Sequence, residues 1–416
     1  MVSKQYSQLE LMQARIRNIP DSWSFSYIGI TFNIRNNLRK PINENEREKN
    51  PGIYPYYGPT KVQGNIGTFE QDGSYALIGE DGDHFLKYET QSMTQLVDGK
   101  CTVNNHAHII EGTSKATREW FYYYFMHRDI FSFLSRQGAG RYKLNKASLE
   151  KIPLLIPPLA EQNKITKILF TWDKAISATE QLLANSQQQK KALMQQLLTG
   201  KKRLRDSNGV RFSGEWKLAK LSKIFERVTT KNDGKSTNVV TISGQHGLIR
   251  QEDFFKKSVA SDTLDGYFLL MKGQFAYNKS YSNGYPMGAI KRLNRYTDGV
   301  VTTLYICFEI SEPTKANGDF WEHYFESGLL NNGLSQIAHE GGRAHGLLNV
   351  KPTDFFSLKV SLPSLDEQQK IAAVLSTADQ EITALQQKLA ALKQEKKALM
   401  QQLLTGKRRV KVEEAA

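Results

Sequence analysis

A long internal repeat constrains this chain more than any other feature. The phrase KKALMQQLLTGK occurs at Lys190–Lys201 and again at Lys396–Lys407, a displacement of 206 residues in a chain of 416. A single period of this length indicates duplication of a large unit, because solenoids repeat every 20 to 50 residues or so. The chain is therefore predicted to contain two copies of one unit, each an irregular region followed by a helical region.

The helical regions have matching start and stop signals. Both begin with Glu-Gln, three residues after Pro158 in the first copy and after Ser364 of a Pro-Ser step in the second. Acidic side chains are favoured in the first turn of a helix. Neither proline nor glycine interrupts Glu161–Thr199 or Glu367–Thr405, and Gly200 and Gly406 are suited to left-handed C-terminal caps. We therefore predict two helices of about 38 residues, each about 57 Å long.

A stripe of mostly apolar residues runs along each predicted helix at spacings of three and four, with one extra four. This spacing is typical of a coiled-coil seam with one stutter. The simplest partner for each helix is the other copy in the same chain, and an antiparallel pairing would carry the irregular regions to opposite ends of a rod. The alternative is two separate helices, each packed on its own domain. The predicted coiled-coil interface comprises Ile165, Trp172, Ile176, Leu183, Leu193, Leu197, Ile371, Val374, Ile382, Leu385, Leu389, Leu392, Leu399 and Leu403.

The two irregular regions differ in sequence but are both rich in aromatic and β-branched residues with glycine turns. Val300–Phe308 is predicted as a buried strand followed by an alternating one, and Lys100–Ile110 as an edge strand or strand end. Thr117–Arg136 and Gly318–Ala338 are predicted as amphipathic helices. The predicted fold class is α+β (mixed): two pseudo-symmetric α/β domains with mixed sheets, separated by two long helices that form an antiparallel coiled coil.

The same signals divide the chain into six segments. The predicted segments are an N-terminal segment (1–20), a first domain (21–157), a first helical spacer (158–204), a second domain (212–363), a second helical spacer (364–406) and a tail that is basic and then acidic (407–416).

The charge balance indicates a polyanionic partner. Lys and Arg number 56 against 42 acidic residues, a formal charge of +14, which favours nucleic acid or an anionic membrane surface. Membrane insertion is not expected, because no apolar run approaches the ~18 residues needed to span a bilayer. The N-terminal sequence lacks the apolar stretch of a signal peptide. Two cysteines exclude a disulfide framework and a four-cysteine zinc site, so we expect a reducing cytoplasm.

Polar and aromatic side chains cluster in the predicted loops of both irregular regions. Arg and Lys can read guanine, Asn and Gln can read adenine, and Ser and Thr can read either; the same types also contact phosphates. Ordinary polar turns are the alternative for each cluster taken singly. The candidate DNA-binding residues are Arg35, Asn36, Arg39, Tyr57, Thr60, Lys61, Gln63, Asn104, Asn105, His106, Arg141, Lys143, Ser243, Gln245, His246, Asn278, Lys279, Ser280, Tyr281, Asn283, Lys291, Arg292, Arg343 and His345.

The whole chain resembles the specificity subunit of Type I restriction–modification systems. The resemblance rests on the architecture, the repeated KALMQQLLTGK phrase, and the phrases Val103-Asn104-Asn105-His106-Ala107-His108, Tyr277-Asn278-Lys279-Ser280-Tyr281 and Gly288-Ala289-Ile290-Lys291-Arg292-Leu293. It implies two target recognition domains, each reading one half of a bipartite site on double-stranded DNA, held apart by helical spacers. It also implies a subunit without catalytic activity that works in the bacterial cytoplasm, associated with the nucleoid through DNA.

The resemblance further implies partners and cofactors outside this chain. Two adenine-N6 methyltransferase subunits would bring S-adenosylmethionine, and motor-nuclease subunits would bring ATP and Mg²⁺. No cofactor or metal is expected in this chain itself. The rival interpretations are a stand-alone nuclease or methyltransferase, and a coiled-coil assembly protein without DNA function; the second leaves the charge of +14 unexplained.

Signals for chemistry within the chain are weak. Glu215-Trp216-Lys217 downstream of Asp206, and Glu395-Lys396-Lys397, have the spacing of a nuclease Glu-x-Lys, but we interpret both as accidental. Cys101, His106 and His108 could be imagined as zinc ligands, although a polar strand end is favoured. Gly341-Gly342-Arg343 is too short for a phosphate-binding loop but could let the backbone approach a phosphate.

Overall fold

The computed structural model describes residues 11–12, 15–137, 141–244, 246–255, 263–282, 284–338 and 348–412, without the side chains of Gln137, Arg141 and Phe255. The chain divides into two compact units. Unit 1 comprises residues 1–180 and 388–416, and unit 2 comprises residues 181–387. Each unit therefore contains one irregular region and half of each long helix.

Unit 1 has alternating strands and short helices before its first long helix. Its elements are β1 (Ser24–Tyr27), α1 (Ile28–Thr31), β2 (Asn33–Ile34), α2 (Glu44–Lys49), β3 (Pro51–Tyr57), β4 (Val62–Ile66), β5 (Gln71–Gly79), β6 (Thr94–Val103), β7 (Ala107–Glu111), α3 (Arg118–Phe125), β8 (Ser135–Gln137), β9 (Arg141–Lys143), α4 (Lys146–Glu150), β10 (Pro153–Ile156) and the first half of α5 (Leu159–Leu197).

The main sheet of unit 1 has six strands in the order β2-β7-β5-β6-β3-β4. All its pairings are antiparallel except that between β3 and β6, which is parallel. Helix α3 begins at an N-cap, Thr117, whose side chain accepts a hydrogen bond from the Trp120 amide. Its buried face packs Trp120 edge-on against Trp23, at 5.6 Å between ring centroids. Two smaller sheets pair β1 with β10 and β8 with β9.

Unit 2 repeats this plan with different strands. After the second half of α5, its elements are β11 (Lys217–Lys220), β12 (Phe225–Val228), β13 (Val240–Ser243), β14 (Gly247–Arg250), α6 (Gln251–Phe255), β15 (Phe268–Met271), β16 (Phe275–Asn278), β17 (Ala289–Arg292), β18 (Asp298–Val301), β19 (Ile306–Ile310), α7 (Gly318–Glu326), α8 (Asn331–Ile337), α9 (Pro352–Ser357), β20 (Lys359–Leu362) and the first half of α10 (Leu365–Leu403).

The sheets of unit 2 are smaller and antiparallel. Four strands pair in the order β12-β19-β16-β17, and three two-stranded sheets pair β11 with β20, β13 with β14, and β15 with β18. Aromatic rings fill the core around Phe225, which contacts Phe308 and Trp321 at centroid distances of 5.2 and 5.3 Å. Helix α7 has the same kind of cap as α3, because the Asn317 side chain accepts from the amide of Phe320.

The long helices run antiparallel within each unit. In unit 1, Asp173 on α5 pairs with Lys396 on α10 at 2.5 Å, and Glu180 pairs with Lys393 at 2.7 Å. The later residue of α5 therefore pairs with the earlier residue of α10, as in an antiparallel arrangement. In unit 2, Lys190 pairs with Asp379 at 2.5 Å. Apolar side chains of both helices join the core of the unit that they belong to. The alternative in which the two helices never contact each other is therefore excluded.

One buried clip is built twice, and its glutamates and arginines are 206 residues apart in the two copies. In unit 1, Glu161 accepts from the indole N–H of Trp23 at 2.9 Å and forms two hydrogen bonds with Arg409 at 2.7 and 2.8 Å. In unit 2, Glu367 makes the same contacts with Trp216 at 2.9 Å and with Arg203 at 2.6 and 2.7 Å. In both clips the guanidinium lies over the indole at 5.7 Å. The clip ties the start of one long helix to the segment that follows the other.

The next residue of each helix anchors the domain. The Gln162 side chain accepts from the backbone amide of Thr117, the cap of α3, at 3.0 Å, and donates to the carbonyl of Pro157 at 2.8 Å. Gln368 makes the equivalent bonds in unit 2, to Asn317 at 2.9 Å and to the carbonyl of Pro363 at 3.1 Å. The repeated Glu-Gln dipeptide thus fixes the helix to both neighbouring elements.

The predicted fold class is confirmed, and the helix ends lie close to the predicted ones. Gly200 and Gly406 both have a φ of 70°, the left-handed conformation expected of C-terminal caps. The helices themselves are 39 residues each, beginning two residues earlier than predicted. Val300–Phe308 does contain two strands, β18 and β19, but the second begins with three buried residues and does not alternate.

Three local predictions were wrong. For Lys100–Ile110 the edge-strand alternative is wrong, because β6 and β7 both lie inside the sheet, while the strand-end alternative fits only Lys100–Val103, where β6 ends; a turn separates it from β7, which begins at Ala107. The helix predicted over Thr117–Arg136 ends at Phe125, where the apolar spacing gives way to polar residues. The helix predicted over Gly318–Ala338 is two helices, because Gly328 adopts a left-handed φ of 74° between them.

Candidate nucleic-acid interface

The predicted site residues of unit 1 meet at one end of the central strand β5. Directly after this strand, the Glu80 amide donates to the carbonyl of His106 at 2.8 Å, and the Glu80 carbonyl accepts from the Leu144 amide at 2.7 Å. These bonds bring the β6–β7 turn and the end of β9 to the same place. The 3₁₀ turn Asn36–Leu38 joins them, because the Lys40 amide donates to the carbonyl of Val103 at 2.9 Å.

Glu80 is the electrostatic centre of this cluster. Its carboxylate pairs with Arg39 at 2.5 Å and with Lys143 at 3.3 Å, and both cations were predicted site residues. Burial acts to raise the pKa of Glu80, but the hydrogen bonds from Arg39 and Lys143 and the charge of Arg39 outweigh it and hold the pKa below its ordinary value. Arg39 also donates to the carbonyl of Asn105 at 3.0 Å. The carboxylate therefore fixes two cations in position.

The two histidines of this cluster have different environments. His106 is half exposed and its Nδ1 lies 2.8 Å from Asp81. His108 is buried: Asn36 donates to its Nδ1 at 2.8 Å, and its Nε2 donates to the carbonyl of Leu144 at 2.6 Å. Burial is the main cause that lowers the pKa of His108, which keeps the ring neutral. His108 is thus a structural support, and His106 is open to a partner.

A β-hairpin turn contributes further predicted residues of unit 1, while Arg35 lies apart from them, with its guanidinium 3.9 Å from Glu111. Between β3 and β4, the Gly58 amide donates to the carbonyl of Lys61 at 2.9 Å and closes the turn that includes Thr60. Asn104 is buried, and its side chain donates to the Gln63 side chain at 3.1 Å while its amide donates to the carbonyl of Tyr57 at 3.0 Å. Lys61 and Gln63 are exposed, so they extend the polar surface around His106.

In unit 2, Tyr285 connects two turns that carry predicted residues. Its hydroxyl donates to Glu326, accepts from Lys291 at 2.9 Å, and lies 2.9 Å from the carbonyl oxygen of Gly244, in the β13–β14 turn. Glu326 pairs with both Lys291 and the tyrosine hydroxyl. Burial, followed by the contact with Glu326, raises the pKa of Tyr285, so the phenol stays protonated.

The other predicted residues of unit 2 occupy the same two turns. Ser243 is buried and its hydroxyl accepts from the amide of the exposed His246 at 3.2 Å. The Asn278 side chain accepts from the Ser280 amide at 3.1 Å, which shapes the turn after β16. Tyr281 follows with 64% of its surface exposed.

Lys279 is half buried, and burial followed by the nearby charge of Arg227 lowers its pKa.

Arg292 forms its contacts away from these turns. Its guanidinium pairs with Asp319 at 2.6 Å and donates to the carbonyl of Gly273 at 3.1 Å. Gln245, Asn283, Arg343 and His345, with the Gly341-Gly342-Arg343 phrase and the side chain of Arg141, lie outside the described residues.

The residues predicted for the helical seam lie on the inner side of the helices. Ile165, Leu197, Ile371 and Leu403 are buried. The members nearer the middle of each helix are half buried. The half-buried members are Trp172, Ile176, Leu183, Leu193, Val374, Ile382, Leu385, Leu389, Leu392 and Leu399.

The described residues hold no group of three or more His, Cys, Asp or Glu side chains that could bind a metal ion. Cys101 is buried beside Gln71, away from His106, and burial raises the pKa of its thiol to about 11. Trp216, in the Glu-x-Lys phrase, belongs to the clip of unit 2 instead. No helix in the described part of the chain is both long enough and apolar enough to span a bilayer.

Sequence reasoning missed the acidic residues that organise both surfaces. Glu80 positions Arg39 and Lys143 and Asp81 contacts His106 in unit 1, and Glu326 positions Lys291 in unit 2. The available signal in unit 1 was an acidic pair placed directly after a buried strand ending in glycine. Acidic side chains are not among the residue types that contact phosphates, so the DNA-binding pattern does not include them.

Comparison with known proteins identifies the class. Residues 20–185 and 305–394, more than half of the chain, match the family described as "Type I restriction modification DNA specificity domain". The chain belongs to this family.

Two relatives and one solved structure show how far the similarity extends. The Type I restriction enzyme MjaVIII specificity subunit of Methanocaldococcus jannaschii is 23% identical over 94% of both chains. The specificity subunit S.HindORF215P of Haemophilus influenzae is 39% identical, over 33% of this chain and 34% of that protein. The crystal structure of a Type I restriction–modification S subunit from M. genitalium aligns over 93% of this chain and 97% of that one, with a TM-score of 0.60 and 15% identity. That structure supports the fold.

Proposed function

We propose that this chain is the DNA sequence-specificity subunit of a Type I restriction–modification enzyme, and that each unit reads one half of a bipartite site on double-stranded DNA. One observation supports this most directly. The two units share a duplicated framework of clips, caps and helices, yet the polar surfaces that they carry differ in residue type. Equal frameworks with unlike surfaces suit a protein that positions two readers for two different base sequences.

The side chains proposed to contact DNA in unit 1 are the exposed ones around Glu80. His106, Lys61 and Gln63 can reach base edges, while Arg39 and Lys143 are held by a carboxylate and can contact phosphates. In unit 2 the corresponding residues are His246 and the turn from Asn278 to Tyr281. A side chain fixed before binding loses less conformational entropy when it binds, which favours specificity.

The long helices are proposed to set the distance between the half-sites and to dock the other subunits. Each helix of 39 residues is about 58 Å long. Half-sites on one face of a duplex lie about 34 Å apart, or at multiples of that distance. The outward faces carry exposed glutamines such as Gln187, Gln188 and Gln195, which a partner could cover.

The chemistry of the enzyme is proposed to reside in partner subunits. Two adenine-N6 methyltransferase subunits would bind S-adenosylmethionine, and motor-nuclease subunits would use ATP and Mg²⁺. This chain would contribute recognition without catalysis, in the cytoplasm and associated with the nucleoid through DNA.

The test is co-expression of this chain with the methyltransferase subunit of the same enzyme, followed by sequencing of modified bases across the host DNA. We expect N6-methyladenine at one motif made of two short specific sequences with a fixed gap. Purified chain alone should methylate and cleave nothing in the presence of S-adenosylmethionine or Mg²⁺. Methylation without a bipartite motif, or activity of the chain alone, would overturn the proposal.

A further inference from the structure

A group of exposed lysines lies on the small sheet of unit 2 that pairs β11 with β20. Lys220 and Lys359 face each other directly in the antiparallel register, and Lys217 begins the same strand as Lys220. Lys223 follows in the next turn. All four side chains are exposed. We call these four residues the lysine patch.

The positive charge of the lysine patch is not neutralised by other side chains in the described part of the chain. Within the described part of the chain, none of its four side chains forms an ion pair or a hydrogen bond. Side chains of directly opposed residues in an antiparallel pair lie roughly 5 Å apart, and like charges at that distance destabilise the sheet. An anion placed over Lys220 and Lys359 would remove this repulsion.

The equivalent sheet of unit 1 carries no charge at all. Strands β1 and β10 pair in the same four-residue register, and the position of Lys220 opposite Lys359 is taken by Tyr27 opposite Pro153. The remaining residues of the two strands are serine, phenylalanine, leucine and isoleucine. The patch is therefore a feature of one unit and is not required by the duplicated fold.

We propose that the lysine patch binds the phosphate backbone of duplex DNA without reading its sequence; this inference rests on the proposed function. Lysine is a point charge without the planar fork of arginine, which suits contact with phosphates in any orientation. Protein–protein interfaces are instead enriched in aromatic residues and arginine and depleted in lysine. The composition of the patch thus favours a polyphosphate over an acidic protein surface.

The test compares the double variant K220Q/K359Q with the control K235Q/K272Q, which removes two other exposed lysines of unit 2. Both are assembled as full chains with the methyltransferase subunits. Affinity is measured from 50 to 200 mM salt for two duplexes of equal length, one with the methylated motif and one of random sequence. Thermal unfolding checks the fold, and K220Q/K359Q should be at least as stable as the wild type because it removes a like-charge pair.

We expect K220Q/K359Q to bind both duplexes more weakly by the same factor, roughly tenfold at the higher salt. The plot of log affinity against log salt concentration should become less steep by about two, because each of the two lost phosphate contacts contributes about 0.9 to its slope. The methylated motif should not change. Three results would overturn the proposal. They are a wild-type salt slope for K220Q/K359Q, an equal decrease of the slope in the control K235Q/K272Q, and a loss of affinity for the motif duplex alone. Loss of subunit assembly with an unchanged slope would assign the patch to a protein partner instead.

Failure of the proposed function has a different signature in the same experiment. The wild-type complex would then bind the motif duplex no better than the random duplex, whatever the lysine patch does.

Discussion

At the scale of residues, the same few side chains perform the same task in both units. Glu161 and Glu367 each accept from a tryptophan and an arginine far away in the sequence. The sequence identified the two glutamates as equivalent, because they occupy matching positions at the start of a helix. It could not identify their partners, since Arg409 is 248 residues from Glu161 and only folding brings the two together.

Replacing Glu161 by glutamine should destabilise the protein by about 1–3 kcal/mol, because the Arg409 guanidinium loses its charged partner while the indole of Trp23 keeps an acceptor. The free energy of unfolding from denaturant titration measures this effect. Glu367→Gln should cost a similar amount in unit 2. Glu180→Gln is the control: its pair with Lys393 is half exposed on both sides, and the change should stay within about 0.5 kcal/mol.

The clip also predicts a pH dependence. Burial acts to raise the pKa of Glu161, but the hydrogen bonds from Arg409 and Trp23 outweigh it and the pKa lies below its ordinary value of 4.5. A carboxyl with a lowered pKa stabilises the fold above its unfolded pKa, and this stabilisation is lost as the pH falls. The difference in unfolding free energy between the wild type and Glu161→Gln should be constant from pH 8 to 6 and shrink below about pH 4.5. A difference that grows on acidification would contradict the role of the clip.

At the scale of elements, the helices were predicted better than the strands. Helix ends are marked locally, by acidic first turns and by Gly200 and Gly406, and the spacing of apolar residues runs on for ten turns. Several strands of the main sheets pair with neighbours from distant parts of the chain, such as β2 with β7 and β12 with β19. Asn104-Asn105-His106 is a turn between two strands inside the sheet, whereas the sequence predicted an edge strand or a strand end over Lys100–Ile110.

Two lysines in the apolar stripes, Lys190 and Lys396, pair with aspartates on the opposite helix. Lys396 is buried against Asp173, which also accepts from the hydroxyl of Tyr123 at 2.8 Å. In unit 2, Lys190 pairs with Asp379, and His323 lies 3.7 Å from the same aspartate. A single charged pair in an apolar seam can fix the register of two helices, since any slip separates the charges.

Lys396→Glu should therefore destabilise the seam, because it places two carboxylates face to face. Adding Asp173→Lys should restore much of the loss by reversing the pair. A double-mutant cycle on the free energy of unfolding should give a coupling of about 1–3 kcal/mol. The matched cycle on the exposed pair Lys393 and Glu180 should give less than about 1 kcal/mol. Equal coupling in both cycles would show that the buried pair has no special role in register.

At the scale of the whole molecule, duplication explains why the chain can combine a constant frame with two unlike surfaces. The glutamates and arginines of the clips, the Glu-Gln anchors and the seam pairs recur 206 residues apart, and they lie where each domain joins the helices. The loops that carry the candidate DNA contacts take no part in these repeated contacts. Their sequences can therefore differ between units without loss of the frame, and this is also why the exact residues of the site were harder to predict than the fold.

The proposed spacing role of the helices gives a test on this scale. Because α5 and α10 run antiparallel within each unit, an insertion that keeps the seam intact must be made in both helices at the same level. Seven residues preserve the apolar spacing of a coiled coil and lengthen each helix by about 10.5 Å. Suitable positions are those between Glu180 and Gln181 and between Gln387 and Lys388, where the two units divide.

We expect the paired insertion to lengthen the unread gap in the methylated motif by about three base pairs, since successive base pairs are about 3.4 Å apart, and to leave both half-site sequences unchanged. Sequencing of modified bases in cells that carry the variant with its methyltransferase subunit measures both quantities. The matched control is the same insertion in α5 alone, which shifts one side of the seam and should abolish methylation through loss of stability. An unchanged gap in the paired variant, with methylation still present, would refute the idea that the helices set the spacing.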